Sequence, residues 1–405
     1  MTCAIAEVVA LEDLVKAQAY GLGFDLVGIA TLGPMKSAEA FDAWIEKGYA
    51  GEMDYLPRGA AKRRDSRLAF AGAITAIVVG LDYGGREPSG PVARYARGDD
   101  YHDVMTERLN ELHRWMQLEL GRPIAGKAYV DTGPILERDL ARRAGLGWFG
   151  KNTNLVNPCL GSFFFIGSLL VDVDLAADLP FETDRCGSCT RCLDACPTNA
   201  FVEPRVLDAK RCISYLTIES KGEIPDAFHE AIGSNIYGCD ICQDVCPYNI
   251  KFARELREPA FAARDAIRDK DVETLARNLV AMGDEEFRSA FRRSPMKRAK
   301  RRGLARNAAV VLRNMTSVGR VTAEDLEGET RSAKPIVDVH DGNPRATAGE
   351  HRVQRDHSPL SHPGSNGCRH TDHCRGYETR NDRRQRAIHA RHHDAHPSRS
   401  QLRQH

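Results

Sequence analysis

An α/β sandwich, interrupted by a cysteine-rich insertion and followed by a basic helical segment, is the architecture this 405-residue sequence predicts, on three observations. Short β-branched runs alternate with amphipathic segments over residues 1–180, which argues for strands and helices layered on one another. Eight cysteines then fall between Cys186 and Cys246 with the spacing of iron-sulfur ligands. Beyond them, apolar residues recur at helical spacing while acidic residues disappear.

The elements follow in order. Val8, Leu11, Leu14 and Val15 share one helical face, and Gly21-Leu22-Gly23 ends that helix. Leu26 to Ala30 reads as a strand, Ala38 to Lys47 as a helix, and Ile74 to Tyr83 as a strand of the buried type. Helix Asp103 to Leu120, strand Ala128 to Val130, helix Ile135 to Ala144 and strand Ser162 to Asp172 continue the alternation. In such sheets ligands gather where strands hand over to loops. Two polar stretches fall at those points: ARYARGDDYHD after Tyr83, and DTGPILERDLARRAGLGWFGKNTNL after Val130. Asp131 opens the second, with Pro134 suited to a first helical turn, and is expected either to cap the following helix or to act as an acid.

The insertion reads Cys186, Cys189, Cys192, Cys196-Pro197, then Cys212, then Cys239, Cys242, Cys246-Pro247. Eight thiolates are what two [4Fe-4S] clusters need. In this motif the fourth cysteine of the run serves the other cluster. Cys186, Cys189, Cys192 and Cys246 are therefore expected on one cluster and Cys196, Cys212, Cys239 and Cys242 on the second. Structural zinc would have no use for a third cysteine at the same spacing or for the prolines. Cys159 is expected to be an ordinary thiol.

The charge balance of +1 announces no polyanionic partner for the chain as a whole. Locally the picture differs, because Phe287 to Ala323 holds no Asp or Glu but eleven Lys and Arg, a density suited to a phosphate backbone. Residues 331–405 hold eleven of the fourteen His and a single aromatic, Tyr377, and are expected to be disordered. Apolar runs are too short to span a membrane, and no signal peptide is recognisable, so a cytoplasmic location is expected.

GEMDYL with Arg58, ARYARGDDYH, DTGPILER with GLGWFGKNTNL, the eight cysteines, CISYLTIESKGEIP (Cys212 to Pro225) and SPMKRAKRRGLARN (Ser294 to Asn307) occur together in this order. Over roughly Leu11 to Asn314 the sequence thereby resembles the epoxyqueuosine reductases. The resemblance implies four segments: a cobalamin-binding α/β (α+β sandwich) domain at 1–180, a ferredoxin-like 2x[4Fe-4S] domain at 181–260, a truncated HEAT-like helical segment contacting tRNA at 261–320, and a disordered or aberrant tail at 321–405. It implies reduction of the epoxide of epoxyqueuosine at the tRNA wobble position, with cobalamin (cob(II)alamin) and both clusters as cofactors and Asp131 as proton donor. Arg58, Ala93, Asp131, Leu155, Ile166, Ser214 and Asp240 fall where the family lines its corrinoid pocket. The partners implied are the anticodon stem-loop and an external electron donor, for a monomeric protein. Two rival readings are a corrinoid-dependent reductive dehalogenase, which has little use for the basic helices, and a non-catalytic electron-transfer module, which needs no polar pocket. To donate a proton near neutral pH, Asp131 is expected to be shielded from water, with its carboxyl raised above a reference of about 3.9.

Overall fold

The computed structural model describes residues 9–318, with side chains described as far as 316. Cys3 and the expected disordered tail lie outside the described residues. The strands are β1 (Leu26–Thr31), β2 (Thr75–Asp82), β3 (Gly126–Tyr129), β4 (Trp148–Phe149), β5 (Leu155–Val156), β6 (Phe164–Val171) and, paired with each other in the cysteine-rich region, β7 (Phe201–Glu203) and β8 (Val206–Leu207). β4 and β5 form a small hairpin, and the main sheet has the order β1-β2-β6-β3.

Every pairing in that sheet is antiparallel, with Leu26 opposite Gly80, Thr75 opposite Val171, and Gly126 opposite Val171. The sheet is therefore of the α+β kind, not the parallel kind that alternation of elements suggests. Alternation fixes which segments are strands, whereas direction depends on which strand inserts between which. Here β6 enters between β2 and β3, antiparallel to both. β2 and β3 consequently run in the same direction and release their following loops at one edge.

Both faces of the sheet are covered, which is why β2 reads as a continuous apolar run and is buried at all eight positions. On one face Ile77, Val79, Leu81 and Leu169 pack with Val15 of helix Leu11–Gly21 and Met105 of helix Tyr101–Glu119. On the other, Ala76, Val78 and Leu170 pack with Leu140 and Ala141 of helix Glu137–Arg143. Each fully buried Leu, Val or Met contributes about 1.5–3 kcal/mol, so this two-sided core rigidly sets the edge from which the loops leave.

The basic segment forms helices Val272–Ala281, Asp284–Ala290 and Lys300–Val318. Leu275, Leu304 and Val311 bury themselves against Ile213, Ile236 and Tyr237 of the cysteine-rich region, in one continuous core. Asn307 locks this junction: fully buried, it donates to Thr217 O at 2.7 Å and Ile236 O at 2.8 Å. Among the described residues no helix is long and apolar enough to cross a membrane.

Candidate functional site

The cysteines sit at turns and helix starts. Cys212 and Cys246 occupy the positions just before helices Ile213–Ile218 and Pro247–Phe252, the second opened by Pro247. The first backbone N–H groups of those helices turn toward the sulfurs, from Ser214 and Tyr215 to Cys212 and from Tyr248 and Asn249 to Cys246. Through-space charge effects divide the eight into two sets. Cys192 feels Cys186, Cys246 and Cys189, while Cys239 feels Cys212 and Cys196. Cys242 feels Cys239 and Cys212 most, and Cys192 less. Burial heads the causes that push Cys192 up to about 11 and Cys239 up to about 12, with the neighbouring thiols adding to it. Eight crowded thiols resist joint ionisation unless cationic iron binds them. Eight thiols of this chemistry fit two [4Fe-4S] clusters. Cys159 departs from expectation: it is disulfide-bonded, a pairing that spacing could not announce.

Asp131 lies two residues beyond β3 in the left-handed region, at φ 57°. It does not cap the next helix, which begins at Glu137 with Leu136 before it. Instead the Asp131 N–H donates to Glu137 Oε1 at 2.8 Å, and its Oδ2 accepts from the Tyr101 hydroxyl at 3.0 Å. His102 Nε2 stands 3.7 Å from the same oxygen, while its Nδ1 is 2.6 Å from Asp100 Oδ1. The Asp131 side chain is 66% exposed, yet protein encloses it enough for desolvation to be the largest influence on it. It stands at the open side of the loop that follows β3, beside Tyr101 and His102.

The expected upward shift of Asp131 is reversed. Burial favours the neutral acid, but the bonds and charge from His102 and the Tyr101 hydroxyl outweigh it and hold the carboxyl below its ordinary value. His102 responds in the opposite sense: burial alone would lower it, but Asp100 and Asp131 on either side raise it to about 9. Glu137 is pushed up to about 8, by burial and then by the Asp131 charge. Around neutral pH both His102 and Glu137 therefore hold a proton, and it is His102 that faces the Asp131 carboxylate. Sequence reasoning singled out neither, although His102 lies in the polar stretch at a strand end and Glu137 in the DTGPILER run.

The other expected residues fall into three groups. Ala93 and Ser214 meet at Gly238, where φ is 70° and a Cβ would approach Ala93 Cβ to 2.7 Å and Ser214 Oγ to 3.8 Å. Asp240 joins them, but its buried Oδ2 is taken by the Arg94 N–H at 2.9 Å and Nη1 at 3.0 Å. Leu155 and Ile166 share an apolar cluster with Tyr129 and Ile135, beside the Asp131 loop. Arg58 is 78% exposed at the rim, where the next residue, Gly59, faces Pro134 closely enough that a Cβ would lie 3.3 Å from it. Tyr95 links the groups, its ring 6.2 Å from Tyr101 and 6.3 Å from Tyr237.

The basic segment comes near Asp131 through Tyr55. Arg298 lies over the Tyr55 ring at 5.5 Å, and Tyr55 feels the charges of both Arg298 and Asp131. Lys297 acts on Asp100. Arg293, Arg298 and Arg301 are tied to Asp103, Glu219 and Asp284. Arg292, Lys297 and Arg302 are exposed and take no part in those ion pairs. A cavity of about 370 Å³, lined in part by Glu223, His229, Arg302 and Arg306, lies along helix Lys300–Val318 and does not include Asp131.

Comparison with known proteins gives a consistent picture. Residues 185–249 match the family described as a 4Fe-4S double cluster binding domain, and residues 63–132 match the one described as epoxyqueuosine reductase QueG, DUF1730. The chain is 40% identical over 304 residues to an epoxyqueuosine reductase of Cellulophaga algicola, covering 73% of this chain and 96% of that one. It is 39% identical over 339 residues to one of Xanthomonas campestris, covering 81% and 93%. A crystal structure of an epoxyqueuosine reductase with a tRNA-Tyr epoxyqueuosine-modified stem loop matches with TM-score 0.67 and 32% identity, over 75% of this chain and 81% of that chain. Another, from Bacillus subtilis, has an aspartate catalytic loop swung out of its active site, and matches with TM-score 0.65 and 31% identity over the same shares.

Proposed function

The chain belongs to the epoxyqueuosine reductase family, and on that premise we propose that Asp131 delivers the proton to the epoxide oxygen, with His102 and Glu137 replenishing it. The reaction is reduction of epoxyqueuosine in tRNA to queuosine, in which two electrons and two protons remove the oxygen as water. Two [4Fe-4S] clusters carry the electrons singly. Family membership along 96% of a relative's length sets aside the dehalogenase and electron-module readings.

The observation that carries the assignment is the exposed Asp131 carboxylate, held by the Tyr101 hydroxyl at 3.0 Å and with His102 Nε2 at 3.7 Å. An acid works best when its proton supply is matched to working pH and it lies within hydrogen-bond reach of the leaving oxygen. Tyr101 holds the carboxylate by its hydroxyl while its ring stacks on Phe165 at 4.1 Å and 4°, fixing the Oδ2 position. The left-handed backbone turns Asp131 away from a capping geometry. We assign a corrinoid to the apolar residues Leu155 and Ile166 beside the Asp131 loop and to the place where Ala93, Ser214 and Gly238 meet. Arg58, Ser214 and Asp240 are the polar groups we assign to its edge. Cobalamin bound there would supply the two-electron nucleophilic chemistry that side chains lack. Exposed Arg292, Lys297 and Arg302 are the residues we assign to the tRNA backbone, on a HEAT-like segment at 261–320. Segments 1–180 and 181–260 are the proposed cobalamin and cluster domains. A cytoplasmic monomer served by an external electron donor completes the proposal.

The test is turnover of epoxyqueuosine-containing tRNA by anaerobically reconstituted protein with cobalamin and a reductant, read by nucleoside analysis. Asp131→Asn preserves shape and tolerates the positive φ. It should lower turnover by about 10²–10⁴-fold with iron and cobalamin content unchanged. Turnover within a few fold of wild type would remove Asp131 as the acid.

A further inference from the structure

Trp148 does more than the hairpin requires. It opens β4, is 2% exposed, and donates its indole Nε1–H to Cys186 Sγ at 3.4 Å, across 38 positions of sequence. Two aromatic rings fix the indole. Phe181 stacks on it at 5.6 Å and 29°, and Tyr248, two residues after Cys246, meets it edge-on at 4.8 Å and 72°. Gly147 lies so near Val156 O that a Cβ would come within 2.2 Å, so the hairpin is closed tightly behind the ring. Three residues on, Lys151 Nζ donates to Gly187 O at 2.7 Å and Cys189 O at 2.9 Å. One hairpin thus aims a side-chain N–H at a thiol and anchors an ammonium on the loop of the same cluster.

The two cysteine sets are unequally supplied. Cys196, in the other set, has the Ala200 backbone N–H at 3.4 Å and the Thr198 hydroxyl at 3.5 Å. The set containing Cys186 also differs in place, because Gly187 and Ser188 beside it are exposed, whereas Cys212 and Cys239 adjoin Ser214 and Gly238, which meet Ala93.

We infer that Trp148 is a positioning residue for electron transfer: its N–H···S bond holds the cluster carried by Cys186, Cys189, Cys192 and Cys246 at a more positive reduction potential. The physical reason is charge. Reduction adds one electron to the cluster and its sulfurs, and a donor aimed at a ligand sulfur stabilises the more negative state. The Lys151 ammonium acts in the same direction. The cluster carried by Cys186 is thereby easier to reduce than it would be without the bond. The inference rests on the two-cluster reading and is independent of the role of Asp131.

The test is anaerobic redox titration of the reconstituted full chain, followed by electron paramagnetic resonance, comparing wild type with Trp148→Phe. Phenylalanine keeps the ring stack and removes the N–H. One cluster should shift to a more negative potential by about tenfold in its reduction equilibrium, ~59 mV for one electron. The other should stay in place, and iron should remain at about eight per chain, the four-per-cluster count. Eight irons with neither cluster shifted, or with both shifted equally, would overturn the inference. Fewer than eight irons in wild type would instead remove the two-cluster reading. Should the Phe variant lose its cluster, the wild type decides. The chain has three tryptophans, so ¹⁵N-indole labelling and hyperfine spectroscopy of the reduced protein should show coupling from one indole nitrogen. No such coupling would overturn the inference.

Discussion

His102→Gln separates a proton-supplying pair from an isolated carboxylate. In wild type His102 lies between Asp100 and Asp131 and is raised to about 9. The sign follows directly: a base raised in the folded state keeps its proton until pH climbs through that value. At pH 7.5 a group titrating near 9 is charged in roughly 97% of molecules, whereas a carboxyl at its reference of about 3.9 is protonated in roughly one of 4,000. The proton is stored on the pair, and the apparent values belong to the pair and not to either residue. Turnover should therefore be level from about pH 6.5 and decline above about 9. Glutamine can still donate a hydrogen bond to Asp131 but holds no ionisable proton. Its alkaline limb should move to lower pH, and turnover at pH 7.5 should fall by about 10²–10⁴-fold. The assay is the pH profile of kcat/KM on epoxyqueuosine-containing tRNA, with iron content and tRNA affinity measured alongside. A limb that stays near 9 in the glutamine variant would refute the argument. The same shift makes a stabilising contribution that is complete below the unfolded imidazole value of about 6.5 and is lost as pH rises through about 9.

Three further outcomes are expected. Cys212→Ala should lose one cluster's spectrum and spare much of the other, since Cys212 belongs with Cys196 and Cys239; an unchanged iron count would remove it from the ligand set. Lys297→Glu with Arg302→Glu should weaken tRNA binding and reduce its salt dependence, measured by filter binding over a salt series; an unchanged slope would place the phosphate contact elsewhere. Asn307→Ala leaves the buried Thr217 and Ile236 carbonyls without their donors, a cost of about 2–4 kcal/mol. Anaerobic denaturant titration should show an earlier midpoint, and wild-type stability would mean that the helices dock without this lock.

The sequence by itself determined what short-range chemistry controls. Cysteine spacing announced a double-cluster region, and hydrophobic period located helices such as Tyr101–Glu119 and the two-sided strands β2 and β6. It also put Asp131 at a strand end. Tertiary structure alone decided the rest. Strand direction depends on β6 inserting between β2 and β3, which period cannot report. The titration of Asp131 runs opposite to the expected upward shift, because the opposing charge arrives through space from His102. Trp148 reads as a core aromatic in sequence and meets Cys186 only when the hairpin folds against the cluster loop. Electrostatic and hydrogen-bond energies fall off with distance in space, not along the chain, so periodicity can say which face is buried but not which group waits there.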